Sequence, residues 1–343
     1  MAERDELRGL SLASRLRQIP GRLALLAFGI IGGYLGTMAL TTGLRPEQFI
    51  PCGVMLVALV WSDRTRDFFV RTLPLTFYGI IYDLTHISEP LVQKLHVHVA
   101  EPYRFELKHF GLSAPAGPIT LNQYFAIHHW PWLDLVTGSA YLVFLYAALV
   151  FGFYLVWTGR SGPRRRLATS FTWTFLAMNV AGFATYYLYP SAPPWYVAQW
   201  GLGPANFAAQ ASPAAAIRWD QLVGLHYFAS FYGKSADIFG AIPSLHVAQP
   251  LLVFLFGTQL GSRALNWVSG LYYLLVCFSA LYLQHHYLLD VLIGSTYAVV
   301  AYAAARLAAG LIDRRASRQL SSSRAPGASS STDLFGPLPT AGR

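Results

Sequence analysis

The chain has 343 residues, 54% of them hydrophobic and 12% charged, with a mean hydropathy of +0.40. A water-soluble domain carries about 25% charged residues, so a soluble globular protein is excluded and an all-α, polytopic membrane helical bundle is expected. The formal net charge of +9 would suit a nucleic-acid binder, but the arginine distribution described below assigns that charge to membrane orientation.

Residues 1–22 are polar and carry Arg4, Arg8, Arg15, Arg17 and Arg22. The apolar run 23–41 is near the length of a membrane span and lacks a small-residue cleavage site, so it reads as an uncleaved first span. Gly29, Gly32, Gly33 and Gly36 on it predict close helix packing. Shorter apolar runs at about 48–62 and 70–84 give spans two and three. Residues 85–133 then lose hydrophobic continuity and mix His86, His96, His98, Glu101, Glu106, His109, His128 and His129 with prolines, glycines and aromatics. They read as an extramembrane or interfacial segment with amphipathic helices, and Trp130-Pro131-Trp132 resembles an interface belt. Spans four and five cover about 134–158 and 168–189. A second outer segment, 190–242, carries Tyr189-Pro190-Ser191-Ala192-Pro193-Pro194-Trp195-Tyr196 at its start. Three further spans lie at about 244–260, 264–283 and 286–310. The tail 311–343, rich in Ser, Arg, Pro and Gly, is expected to be disordered. Cys52 and Cys277 both fall in apolar segments, so no disulfide framework is implied. The organisation is a cytoplasmic basic N-terminus (1–22), one transmembrane domain of about eight spans (23–310) and a cytoplasmic tail (311–343).

With the N-terminus inside, 19 of the 25 lysines and arginines fall in inside segments and 6 in outside ones. That bias follows the positive-inside rule, and the arginines become anchors facing an anionic leaflet. The same topology puts all ten histidines on the outer side or at outer helix ends, which points to an outward-facing polar site.

The densest chemistry is Tyr282-Leu283-Gln284-His285-His286-Tyr287-Leu288-Leu289-Asp290. On a helix His286 and Asp290 share a face, and an imidazole backed by a carboxylate is an oriented base or nucleophile. Asp290 can hold one nitrogen of His286, freeing the other. His246, at the outer boundary of span six, can give and take the proton of a leaving or entering oxygen. Phosphorus is the natural electrophile for a histidine nucleophile. The alternative, a metal site of His246, His285, His286 and Asp290, suffers because adjacent residues on a helix diverge by about 100°.

Pro243-Ser244-Leu245-His246 resembles the second signature of the type 2 phosphatidic acid phosphatase superfamily, with Leu245 where Gly is usual. His286 and Asp290 resemble its third. The resemblance implies a six-helix core, His286 as nucleophile, Asp290 as its partner, His246 as general acid and base, and catalysis with no cofactor and no metal. Two features of the pattern are missing. The lysines at 94, 108 and 234 are followed seven positions later by Glu101, Pro115 and Ala241, so the Lys-x6-Arg-Pro signature is absent. Ser279-Ala280 stands where Ser-Arg is expected, so the Arg is missing. Those cations clamp a phosphate monoester of nearly two charges; a singly charged phosphodiester needs less compensation, which favours a diester-using transferase.

The stretches Tyr189–Tyr196, Lys234-Ser235, Phe239–His246, His285-His286-Tyr287 and Asp290–Ser295 are similar to fungal inositol phosphorylceramide synthases. This narrower resemblance covers about 168–305. It implies a phosphatidylinositol donor, ceramide or another lipid alcohol as acceptor, and substrates drawn from the lipid bilayer, with no nucleic acid. Beyond the catalytic three, Lys234, Ser244, His285, Asp134, Arg218 and Asp220 are the candidates for phosphate or head-group contact. The arginine excess over lysine suggests a bacterial inner membrane with a periplasmic site; a Golgi membrane with a lumenal site is the alternative. A lipid phosphatase, in which water replaces the acceptor, and a non-catalytic transporter or scaffold on the same fold are the competing functions.

Overall fold

The structure is a computed structural model, and it describes residues 12–233 and 238–323. It contains a membrane helical bundle. The first helices are α1 (Leu12–Arg17), α2 (Gly21–Leu40), α3 (Pro46–Trp61) and α4 (Asp63–Val92). The outer segment 85–133 supplies the end of α4, then α5 (Ala100–Phe110), α6 (Leu121–Ile127) and the start of α7 (Pro131–Leu142). There follow α8 (Phe144–Thr158) and α9 (Gly162–Leu188). The second outer segment holds the short helices α10 (Pro194–Trp200), α11 (Ile217–Val223) and α12 (Tyr227–Tyr232). The last three helices are α13 (Leu245–Gly257), α14 (Arg263–Tyr282) and α15 (Leu288–Ser323).

Helices stand at all eight places where spans are expected. α2, α9, α14 and α15 are each long and apolar enough to cross a membrane, and α7 with α8 forms a fifth such unit bent by 42°. α3 and α13 are apolar but shorter. α4 is 30 residues long but begins with Asp63, Arg64, Arg66, Asp67 and Arg71, which lower its mean hydropathy. Spans three and eight run past their expected limits. α15 continues through Ser323, so 311–323 is helical rather than disordered; 324–343, like Arg4, Arg8 and Lys234, lies outside the described residues.

The chain divides into two compact units, residues 1–303 and 304–343. The described part of the second is the C-terminal portion of α15, bearing Arg306, Asp313, Arg314 and Arg315. In the first unit α13 packs on α14, α8 and α9, α4 packs on α9 and α3, and α14 packs on α7. Water is absent at the depth of the hydrocarbon, so polar side chains there find one another: Gln249 on α13 donates to Asn179 on α9 at 2.8 Å. At the N-terminal hairpin Asp83 on α4 accepts from Tyr34 on α2, from Gln48 on α3 and from Arg45 before α3.

The glycines of α2 do not make the close contacts expected of them: a Cβ added at Gly29, Gly32, Gly33 or Gly36 meets nothing within 4 Å. The tight approach lies elsewhere. A Cβ at Gly294 on α15 would sit 2.2 Å from the Ser244 carbonyl oxygen, so only glycine lets this helix lie against the start of α13. That contact brings the two histidine-bearing segments together.

Candidate active site

α14 ends at Tyr282, and the chain reverses through Gln284, which takes a left-handed conformation (φ 64°). His285 and His286 therefore precede α15 rather than riding on it. Their backbone N–H groups both donate to the Ala280 carbonyl at 3.1 Å. His286 is 3% exposed, and its Nδ1 faces two acceptors, the Ala241 carbonyl at 3.0 Å and Asp290 Oδ2 at 3.4 Å. The Ala241 carbonyl can only accept, so Nδ1 holds the imidazole proton and Nε2 presents a lone pair. His246 Nδ1 lies 3.1 Å from that Nε2 and supplies the hydrogen between them. The three expected catalytic residues are thus brought together, with the Ala241 backbone a nearer partner of His286 than the carboxylate.

The reversing loop is clamped by the segment that precedes α7. Asn122 on α6 is buried and donates to both the Leu281 and the His286 carbonyls at 2.9 Å. Glu106 on α5 is fully buried, and its carboxylate accepts the first N–H groups of α15, Leu288 at 3.0 Å and Leu289 at 3.2 Å. A helix start leaves such donors unsatisfied and carries partial positive charge, so a carboxylate is the fitting cap. Burial raises the Glu106 carboxyl above its ordinary range, partly offset by these two N–H groups. Asp290 Oδ2 accepts the adjacent Tyr287 N–H at 2.9 Å, and its backbone carbonyl accepts Ser244 N–H at 3.1 Å.

Around His246 the walls are aromatic. Tyr232, His285, Tyr141 and His246 form a stack of four rings with successive centroids 4.6, 5.2 and 4.6 Å apart and planes within 14°. Phe144 meets His246 from the other side of the α7–α8 bend at 4.4 Å. A slot beside His246 is lined by Phe144, Leu145, Tyr146, Tyr227 and Phe231. His285 is 4% exposed and bonds the Pro213 carbonyl, while its Nε2 is buried without a partner. Burial, with His286 beside it, pushes the imidazole down to about 3, so it is neutral at any working pH. Ser244 is likewise buried, its hydroxyl unpartnered.

A second polar cluster stands on α7 and α11. Asp134 is 3% exposed and pairs with Arg218 Nε at 2.7 Å. It also accepts from Tyr282 at 2.9 Å and faces His129 Nδ1 at 3.5 Å. The Arg218 guanidinium lies over the Tyr282 ring, and its Nη2 is buried without a partner. Asp134 precedes Tyr141 by seven residues on the same helix, which sets the cluster about 10 Å along α7 from the ring stacked on His246. Asp220 does not join it: both of its oxygens accept N–H groups at the start of α12, from Phe228 at 3.0 Å and Ala229 at 2.9 Å. With both oxygens it caps that helix.

Glu106, Asn122, Tyr141 and the Ala241 carbonyl are absent from the sequence-derived list. The available signal for Glu106 is that it shares the buried face of α5 with Pro102, one turn earlier; a carboxylate on a buried face requires partners.

The sequence profile described as PAP2 superfamily matches residues 118–304. A phosphoinositol dihydroceramide synthase of Bacteroides thetaiotaomicron is 31% identical over 276 residues, covering 80% of this chain and 88% of that protein. An inositol phosphorylceramide synthase of Candida albicans is 30% identical over 69% of this chain and 48% of its own length. The catalytic subunit of the Schizosaccharomyces pombe inositol phosphorylceramide synthase is 35% identical over 38% of this chain and 30% of its own. No solved structure matches.

Proposed function

The chain belongs to the PAP2 superfamily, and from that premise we propose that it is a membrane lipid phosphotransferase moving inositol phosphate from phosphatidylinositol to ceramide or a similar lipid alcohol. The observation that carries the reading is the placement of His286, with Nδ1 3.0 Å from the Ala241 carbonyl and 3.4 Å from Asp290 and with Nε2 3.1 Å from His246 Nδ1.

In the first displacement a phosphodiester takes the place of the His246–His286 hydrogen bond. His286 Nε2 attacks phosphorus and the bond to the diacylglycerol oxygen breaks; His246, entering this step as the doubly protonated imidazolium, gives that oxygen the Nδ1 proton and is left neutral for the second displacement. Asp290 and the Ala241 carbonyl stabilise the positive charge that develops on the imidazole. In the second displacement the acceptor hydroxyl gives its proton to His246 and its oxygen displaces His286, so the phosphorus is inverted twice with net retention. The residues do this by proton transfer and nucleophilic attack alone, in keeping with the expected metal-independent chemistry.

Arg218 and Asp134 are the head-group candidates. A buried guanidinium nitrogen with no partner and a carboxylate that accepts hydroxyl protons suit a polyol bearing a phosphate. Ser244 and neutral His285 offer an unpartnered hydroxyl and an unpartnered acceptor to substrate oxygens. The site faces the periplasm of a bacterial inner membrane, or the lumen if the source has a Golgi.

The test is a purified-enzyme incubation with phosphatidylinositol labelled in the inositol ring, plus ceramide. The expected products are an inositol-phosphoryl lipid and diacylglycerol, with label on His286 after rapid quenching and neither product from His286→Ala or His246→Ala. Release of inositol phosphate without a new inositol lipid would assign the site to a phosphatase. Full function in both alanine variants would assign the fold to a transporter or scaffold.

A further inference from the structure

His96, His98 and Glu101 gather on the outer segment away from the reacting atoms. The Glu101 Oε1 atom lies 3.3 Å from His98 Nδ1 and 3.6 Å from His96 Nε2, and all three atoms lie within 4.8 Å of one another. A charge-assisted hydrogen bond is shorter, about 2.7–2.9 Å. Two ligands bound at about 2.0–2.1 Å to one tetrahedral ion stand about 3.3 Å apart. His98 Nδ1 hydrogen-bonds Glu101 Oε1 at 3.3 Å, and the same separations are also those of the edges of a coordination sphere.

The ligands differ in freedom in a way that suits capture. His98 is held: its ring stacks on Tyr189 at 3.8 Å, its N–H donates to the Pro190 carbonyl at 2.8 Å and its carbonyl accepts Ala192 N–H at 3.0 Å. Glu101 is fixed to the first turn of α5. His96 is 77% exposed in its side chain and is free to swing onto an ion held by the other two.

We propose that His96, His98 and Glu101 bind one divalent transition-metal ion of the zinc class, with two imidazoles, one carboxylate and an open solvent position. The ion's place in the fold gives it a structural task. His98 pairs as a short parallel bridge with Ser191, and Ser191 pairs in turn with Gly240, whose neighbour Ala241 holds the His286 Nδ1 proton. A metal at His98 and Glu101 fastens the start of α5 to this three-segment stitch. It supports the nucleophile's backbone partner without touching substrate, so the inference stands apart from the reaction proposed above.

The experiment uses the whole protein in detergent, with any affinity tag removed, stripped with a chelator and dialysed against zinc chloride. Metal content is read by elemental analysis and thermal unfolding is followed with and without zinc. The expected result is about one zinc per chain and a midpoint that rises with zinc concentration. His96→Ala, at an exposed position, and His98→Phe, which keeps the stack on Tyr189, bring the zinc content near zero and abolish the zinc-dependent rise. Their midpoints without zinc stay close to wild type, which separates loss of a ligand from loss of fold. Zinc uptake that is absent in the wild type, or unchanged in His96→Ala and His98→Phe, overturns the proposal. The same zinc content in His286→Ala as in the wild type is expected; its loss there would move the ion to the catalytic histidines and overturn the assignment.

Discussion

Glu106→Ala removes the carboxylate that accepts Leu288 N–H at 3.0 Å and Leu289 N–H at 3.2 Å. Hydrogen bonds to a charged group contribute about 1.5–3 kcal/mol each, and a charge at a helix start adds about 0.3–2 kcal/mol. Glu106 is fully buried and the two donors are part-buried, so the freed donors are only partly solvated, and a stability loss of about 2–4 kcal/mol is expected. The kinetic effect follows from geometry. His286 stands two residues before the capped turn, and a displacement of the order of 1 Å costs about 100-fold in rate. Inositol-lipid transfer by the folded fraction, isolated by gel filtration and measured well below the unfolding midpoint, should therefore show kcat reduced about 100-fold, with KM for donor and acceptor within about threefold of wild type. Glu106→Gln keeps one acceptor but turns an amide N–H toward the second donor, so an intermediate loss is expected. Wild-type kcat in Glu106→Ala, or a raised KM with kcat intact, would refute the positioning argument.

Asp290→Asn keeps an oxygen for Tyr287 N–H but removes the charge that faces His286 Nδ1; kcat for transfer should fall by about 10²–10⁴-fold with little change in thermal midpoint. Gly294→Ala drives a methyl into the Ser244 carbonyl, and a combined loss of stability of about 1–3 kcal/mol and of most activity is expected in thermal unfolding and transfer assays. Arg218→Met and Asp134→Asn should raise KM for phosphatidylinositol more than KM for the acceptor, measured by varying each lipid in mixed micelles. His285, pushed down to about 3 from its ordinary value of 6.5, binds its proton more readily when unfolded. Its contribution is fully present above pH 6.5 and declines as pH falls from 6.5 toward 3, by about 1.4 kcal/mol per unit. The unfolding midpoint of His285→Phe should accordingly fall less steeply than that of wild type across this window.

The sequence made much of this legible where the signal is local. Membrane spans announce themselves by unbroken apolar length, and His286 with Asp290 by their spacing. Asp134 and Arg218, singled out separately as head-group contacts, turn out to pair. What could not be read depends on contacts between distant segments or on backbone atoms. The Ala241 carbonyl has no side-chain signature at all. Glu106 meets Leu288 across 182 residues and Asn122 meets the His286 carbonyl across 164, and no local pattern encodes such a meeting. Glycine spacing misled in the opposite direction: four glycines on α2 look like a packing seam and face open space, whereas Gly294 carries the tight approach. Asp220, a carboxylate in an outer loop, gives no local sign that its oxygens cap α12.

The long reach of Glu106 also orders the protein's biosynthesis. Chains enter the membrane from the N-terminal end as they are made, so α5 and its carboxylate are in place long before α15 exists. Until Leu288 and Leu289 arrive, Glu106 lacks the donors that satisfy it, and His246 lacks His286. The arrival of α15 therefore supplies those donors and sets His286 beside His246 in the same event. A chain truncated before α15 lacks both the donors to Glu106 and the partner of His246, and is expected to show no transfer activity.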